Sequence, residues 1–148
     1  MELPRDFSEL LASFVEHRVE FLVVGAYAVA FHGRPRMTGA LDLLVEPTRE
    51  NAARVMRALD AFGFGDVGLS ESDFVTPDTV VQLGVAPVRI DLLTSITGVS
   101  WEEAWGARVS ADFAGTPVFV LGLEQLRRNK LATGRAQDRA DVEALGDD

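Results

Sequence analysis

Apolar residues along the chain recur with two periods, and the alternation between them outlines the fold. Phe7, Leu10, Leu11, Phe14 and Val15 fall at i, i+3, i+4, i+7 and i+8, the stripe of an amphipathic helix. Asp6 followed by Glu9 predicts a capping-box-like start for it. Glu20 to Gly25 is a short β-branched run closed by glycine and reads as a strand. Ala26 to Gly33 is alanine-rich without a breaker, predicting a helix entered directly from Gly25. A basic turn, "GRPRMTG", leads into a second strand, Ala40 to Val45. Thr48 is placed to cap a helix whose apolar side carries Ala52, Val55, Met56, Leu59 and Phe62.

The second half reads as paired strands and short helices. "SESDFVTPD" is a loop with at most one helical turn. "TVVQLGV" and "VRIDLLT", separated by Ala86-Pro87, predict an antiparallel pair. "SWEEAW" is a short helix, and "ARVSADF" and "TPVFVLG" flank Ala114-Gly115 as a hairpin. Two helical pieces follow, Leu123 to Thr133 and Gln137 to Leu145, broken at Gly134. The order αβαβα–ββ–αββ–αα predicts an α/β (α+β) domain, a mixed sheet packed by helices and closed by a C-terminal helical pair. The 148 residues are most simply one domain, 1–148.

Two positions break the apolar pattern of the strands. Asp42 lies inside "TGALDLLV" and shares its strand face with Ala40 and Leu44; Asp91 lies inside "VRIDLLT" and shares its face with Arg89 and Leu93. An ionised carboxylate left unpaired in a sheet interior costs several kcal/mol. A salt bridge such as Asp42 with Arg89, an open sheet face, or a bound cation shared between neighbouring strands would each relieve it. Gly25 adds a second feature, a strand-to-helix turn where an anion can approach free backbone N–H groups.

Composition narrows the chemistry. With no cysteine and only His17 and His32, thiolate and histidine-based metal sites are not expected. The net charge of −9 speaks against broad attraction to DNA or to an anionic membrane. The longest apolar stretch, Phe21 to Phe31, is too short to span a bilayer, and the N-terminal residues lack the pattern of a secretory signal, so a cytoplasmic location is expected. Against this acidic background Arg34, Arg36, Arg127, Arg128, Lys130, Arg135 and Arg139 gather in two segments. Lys130, Arg34 and Arg36 are the stronger functional candidates; Arg127 and Arg139 read as solvated helix faces, and His32 as a capping or core residue.

The segments "VVGAYAVAFHGRPRMTGALDLLVEP", "RIDLLTSITGV" and "NKLATGRAQDRADVEAL" together resemble the small bacterial nucleotidyltransferases of the polymerase-β-like superfamily. Within it they are most like the AbiEii-like and minimal-nucleotidyltransferase proteins of toxin–antitoxin systems. The resemblance implies transfer of a nucleoside monophosphate from an NTP to a hydroxyl of RNA (such as tRNA) or protein, with two Mg²⁺ ions held by three carboxylates. It implies a triphosphate-binding turn at Gly25-Ala26, metal carboxylates at Asp42 and Asp91, and a phosphate-contacting Lys130 with an acidic companion, Asp138. Asp91 would also receive the acceptor's proton. A toxin or antitoxin is the implied partner. One position departs from the pattern: Ala40 stands where the family has its first aspartate. An active-site knockout and a natural, catalytically silent binding module both account for that, and a ligand-binding domain with merely salt-bridged aspartates is the third reading of the residues.

Overall fold

A computed structural model describes residues 3–33, 40–64, 68–85 and 88–146. Arg34 and Arg36, and the Ala86-Pro87 junction of the expected hairpin, lie outside the described residues.

Helix α1 (Arg5–Glu16) buries Phe7, Leu10, Leu11 and Phe14, the stripe read from the sequence. Its start differs from the expected capping box. Pro4 occupies the N-cap, no side chain caps the helix, and Glu9 is held by Arg5 Nε at 2.7 Å instead of reaching back from Asp6. Proline wins there because its fixed φ suits a helix entry and it has no N–H to satisfy. Strand β1 (Phe21–Val24) is buried throughout and runs without a loop into α2 (Gly25–His32). Strand β2 (Ala40–Val45) is followed by α3 (Arg49–Phe62), whose Thr48 Oγ1 accepts from the Asn51 N–H as expected of an N-cap.

A single 3₁₀ turn, Glu71–Phe74, precedes β3 (Val80–Leu83) and β4 (Arg89–Leu93). Helix α4 (Trp101–Gly106) carries a true capping box, Ser100 with Glu103. The hairpin β5 (Val109–Phe113) and β6 (Thr116–Val120) leads to α5 (Leu123–Thr133) and α6 (Ala136–Leu145), separated by Gly134 in the left-handed conformation.

The described strands form one mixed sheet in the order β3-β4-β2-β1-β6-β5. Two neighbour pairs are parallel, β1 with β6 and β2 with β4, and the rest are antiparallel. Helix α1 packs on α3 and reaches β6, while α2 packs on β1 and β2 and is met by α5 and α6. The two central parallel neighbours place Asp42 and Asp91 side by side, and Leu41, Leu43 and Val45, which point the other way, are fully buried.

One buried polar residue ties these layers together. Asn51, on the inner face of α3, accepts from the Glu20 N–H at 2.7 Å and donates to the carbonyls of Glu20 and Glu46 at 2.9 and 3.0 Å. It pins the entry of β1 and the exit of β2 to one helix. The register of the two strands that carry the site is thereby fixed from their far ends. Among the described residues no helix is long and apolar enough to cross a membrane.

Candidate functional site

Asp42 and Asp91 are in-register partners on adjacent parallel strands, so their carboxyls project from the same side of the sheet. Antiparallel pairing of β1 with β2 sets Val24 beside Asp42, which brings the first residue of α2 over the same spot. That residue is Gly25, with φ +65°, a backbone conformation that glycine adopts without strain. A Cβ added there would drive into the Asp42 carboxylate. Glycine is thus required twice over, for its φ and for the close approach of the helix start to the acid.

Asp42 is held in an unfavourable setting. Oδ1 is buried and has no hydrogen-bond partner. Burial above all, then the charge and hydrogen bonding of Asp91, push its carboxyl up to about 6, with Lys130 and Arg89 pulling the other way. Asp91 is better provided for. Arg89 Nε and Nη2 donate to its two carboxylate oxygens at 3.1 and 3.2 Å, a forked pair along the strand. The salt bridge considered from the sequence, Asp42 with Arg89, is replaced by one between Arg89 and Asp91, and Asp42 feels Arg89 only through its charge.

A cleft of about 310 Å³ opens beside this pair, lined by Gly25, Asp42, Lys130, Asn129, Thr133 and Arg135 among others. Lys130 comes from the buried side of α5, and its Nζ lies 3.3 Å from Asp138 and 3.2 Å from Asp141, both on α6. Asp138 is fully buried and faces this ammonium. It is held well below the usual carboxylate range, chiefly by the hydrogen bond from Arg135, with Thr133 and Lys130 adding to it and burial opposing. Thr133 Oγ1 donates to Asp138 Oδ2 at 2.6 Å. Among the residues expected from the sequence, Gly25, Asp42 and Lys130 line one cleft and Asp91 stands beside Asp42. Ala26 is buried in the first turn of α2, and Asp138 braces Lys130 from behind.

The remaining basic residues are mostly engaged. Arg128 pairs with Glu103 at 2.9 Å, Arg127 lies 3.8 Å from Glu124, Arg135 pairs with Asp138 at 2.8 Å, and Arg139 donates to the Gly134 carbonyl at 3.3 Å. His32 Nε2 lies 2.7 Å from the Leu121 carbonyl oxygen, a structural contact.

Sequence reasoning passed over Asp141 and Thr133 as members of the lysine cluster. Asp141 could have been found, since it lies one helical turn after Asp138 on the same face.

The donor set suits one divalent cation. An orphaned carboxylate oxygen on Asp42 beside a bare glycine turn is the environment that Mg²⁺ uses, since it takes one or two protein carboxylates and keeps its other sites for water and phosphate. A second ion is not accommodated in the same way. Both oxygens of Asp91 are engaged by Arg89, position 40 carries alanine, and no group of three or more histidine or acidic side chains converges among the described residues.

No family model matches the chain, and no curated protein matches it significantly. Solved structures do. The fold is similar to that of a candidate nucleotidyltransferase from Thermotoga maritima, with a TM-score of 0.62 at 17% identity over 94% of this chain and 89% of that one. The structure of ANT(2″)-Ia in complex with adenylyl-2″-tobramycin gives a TM-score of 0.48 at 13% identity over 94% of each chain. The first likeness establishes a shared fold, the mixed sheet with its flanking helices.

Proposed function

We propose that this chain binds a Mg²⁺–nucleoside triphosphate in the cleft between Gly25, Asp42 and Lys130, and that its site is laid out for nucleotidyl transfer to a hydroxyl. The observation that carries this reading is the convergence of Gly25, Asp42 and the buried Lys130 on one cleft, with Asp91 in register beside Asp42. Each part answers a need of phosphoryl-type chemistry, in which positioning and charge neutralisation supply most of the rate.

The backbone N–H groups at Gly25 and Ala26, in the first turn of α2, have no partners within the helix and favour an anion. Lys130 lines the same cleft and is held there by Asp138 and Asp141. Asp42 provides the carboxylate for a cation, and a bound Mg²⁺ would supply neutralisation of the phosphate oxygens and a more acidic acceptor hydroxyl. On the resemblance, Asp91 is the group assigned to take the acceptor's proton, a role that requires its contact with Arg89 to open. Arg34 and Arg36, which follow α2 in the sequence, are proposed to contact the nucleotide. The acceptor class we favour is RNA, tRNA included, or protein, in a toxin–antitoxin setting, on the AbiEii-like resemblance of the sequence.

Ala40 favours a second reading. Without a carboxylate there the site retains its phosphate-binding parts and loses part of its metal-binding capacity, as expected of a silent nucleotide- or partner-binding module. Calorimetry with Mg–ATP and Mg–CTP, together with radiolabel transfer by the Ala40→Asp protein, separates the two. Nucleotide binding with transfer restored by Ala40→Asp supports the transferase. Binding without restored transfer supports the silent module, and absence of binding in both proteins removes both.

A further inference from the structure

Strand β4 carries a cation of its own next to the acidic pair. Arg89 is two residues before Asp91, on the same strand face, and its guanidinium grips both carboxylate oxygens at 3.1 and 3.2 Å. Its in-register neighbour across the strand pair is Ala40. The Asp91 carboxylate is only about one-tenth exposed, so it has little room for a further ligand, whereas the Arg89 side chain retains 38% of its exposure. A forked arginine–carboxylate pair satisfies the acid's charge and its lone pairs in one plane, the function that a divalent ion would otherwise serve. Asp42 has no such partner on Oδ1.

We propose that Arg89 is a resident cation that withdraws Asp91 from metal binding, so that the chain holds a single divalent ion, on Asp42, instead of two shared between the aspartates. The arrangement is a pairing between positions 40 and 89. An acidic side chain at position 40 would sit beside Arg89 and compete with Asp91 for the guanidinium; alanine leaves Arg89 committed to Asp91. Arg89 acts here through Asp91 and is a positioning residue, and the inference rests on the metal-binding reading of the cleft given above.

Mn²⁺ titration of the full chain, followed by electron paramagnetic resonance in the absence of nucleotide, tests it without reference to activity. The unmodified chain is expected to bind one Mn²⁺. Asp42→Asn is expected to weaken binding about tenfold or more, while Asp91→Asn leaves it nearly unchanged. Arg89→Met frees Asp91, so affinity rises and becomes sensitive to Asp91→Asn; Arg89→Lys, which keeps the charge, restores insensitivity. Circular dichroism and thermal melting identify any variant that fails to fold, and Arg89→Gln then replaces Arg89→Met. Two Mn²⁺ per unmodified chain, or equal losses in Asp42→Asn and Asp91→Asn, overturn the role of Arg89 and leave the metal site standing. No Mn²⁺ binding by the unmodified chain or by Arg89→Met overturns the metal site itself, and this inference with it.

Discussion

Gly25 and Asp42 meet so closely that the helix start and the strand acid behave as one unit: the missing side chain of the first makes room for the carboxylate of the second. Replacing Gly25 with alanine therefore meets two obstacles, a φ of +65° and a collision with Asp42. The Gly25→Ala protein is expected to lose about 1–3 kcal/mol of stability and to bind Mg–ATP far more weakly. Chemical denaturation and calorimetry on the same preparation measure both. Unchanged values for the two would detach the turn from the site.

Asp42 gives the protein a pH dependence of unusual sign for a carboxylate. Because burial and Asp91 raise its pKa to about 6, the folded chain keeps a proton that the unfolded chain has already released. Its contribution to stability therefore falls as pH rises from near the ordinary carboxylate value through about 6. The Asp42→Asn protein should lack this decline and be more stable at neutral pH by about 1–3 kcal/mol. Melting temperatures of both proteins between pH 4 and 7, read in ~1-unit steps, would show the two curves diverging. A cation must displace the same proton, so stabilisation by added Mg²⁺ should grow across that window.

The Lys130 cluster is expected to be structural in large part. Removing Asp138 leaves an ammonium that is 8% exposed facing Asp141 alone, while Thr133 keeps its bond to the Lys130 carbonyl and Arg135 turns to solvent. Asp138→Ala should cost about 3–5 kcal/mol. The Lys130→Met exchange, which removes the charge together with the need to compensate it, should destabilise less than Asp138→Ala while weakening nucleotide binding. Urea titrations of the pair decide this, and the opposite ranking would mean that Lys130 owes little to its carboxylates.

Asn51→Ala tests the frame behind the site. Three buried hydrogen bonds to Glu20 and Glu46 disappear at once, so a loss of about 2–3 kcal/mol is expected. Hydrogen exchange should locate the loosening at the start of β1 and the end of β2. An exchange pattern unchanged in these strands would show that the sheet sets its own register.

The local signals of the sequence were strong enough to place the described helices and strands, because most stripes and alternations are bounded by glycine, proline or a capping residue. The same alternation put Asp42 and Asp91 on strand faces. What it could not give was the partner across the gap. Arg89 was legible as a neighbour of Asp91 on its own strand, but its choice of Asp91 over Asp42 depends on β2 and β4 being parallel and in register. Asn51 was hidden for a similar reason, since its partner Glu20 is 31 positions away. The α1 start was misread because Pro4 occupied the cap position that Asp6 appeared suited to take.

The bracing of Lys130 by α6 has a consequence for the order of events during synthesis. The lysine leaves the ribosome before either of its counter-charges, Asp138 and Asp141. Until residue 141 has emerged, α5 cannot seat that ammonium in the interior without an uncompensated charge, so the nascent sheet must wait with this wall ajar. The proposed nucleotide capture is thereby tied to the last helix, and a chain stalled before it would have strands, turn and acids but not the braced lysine.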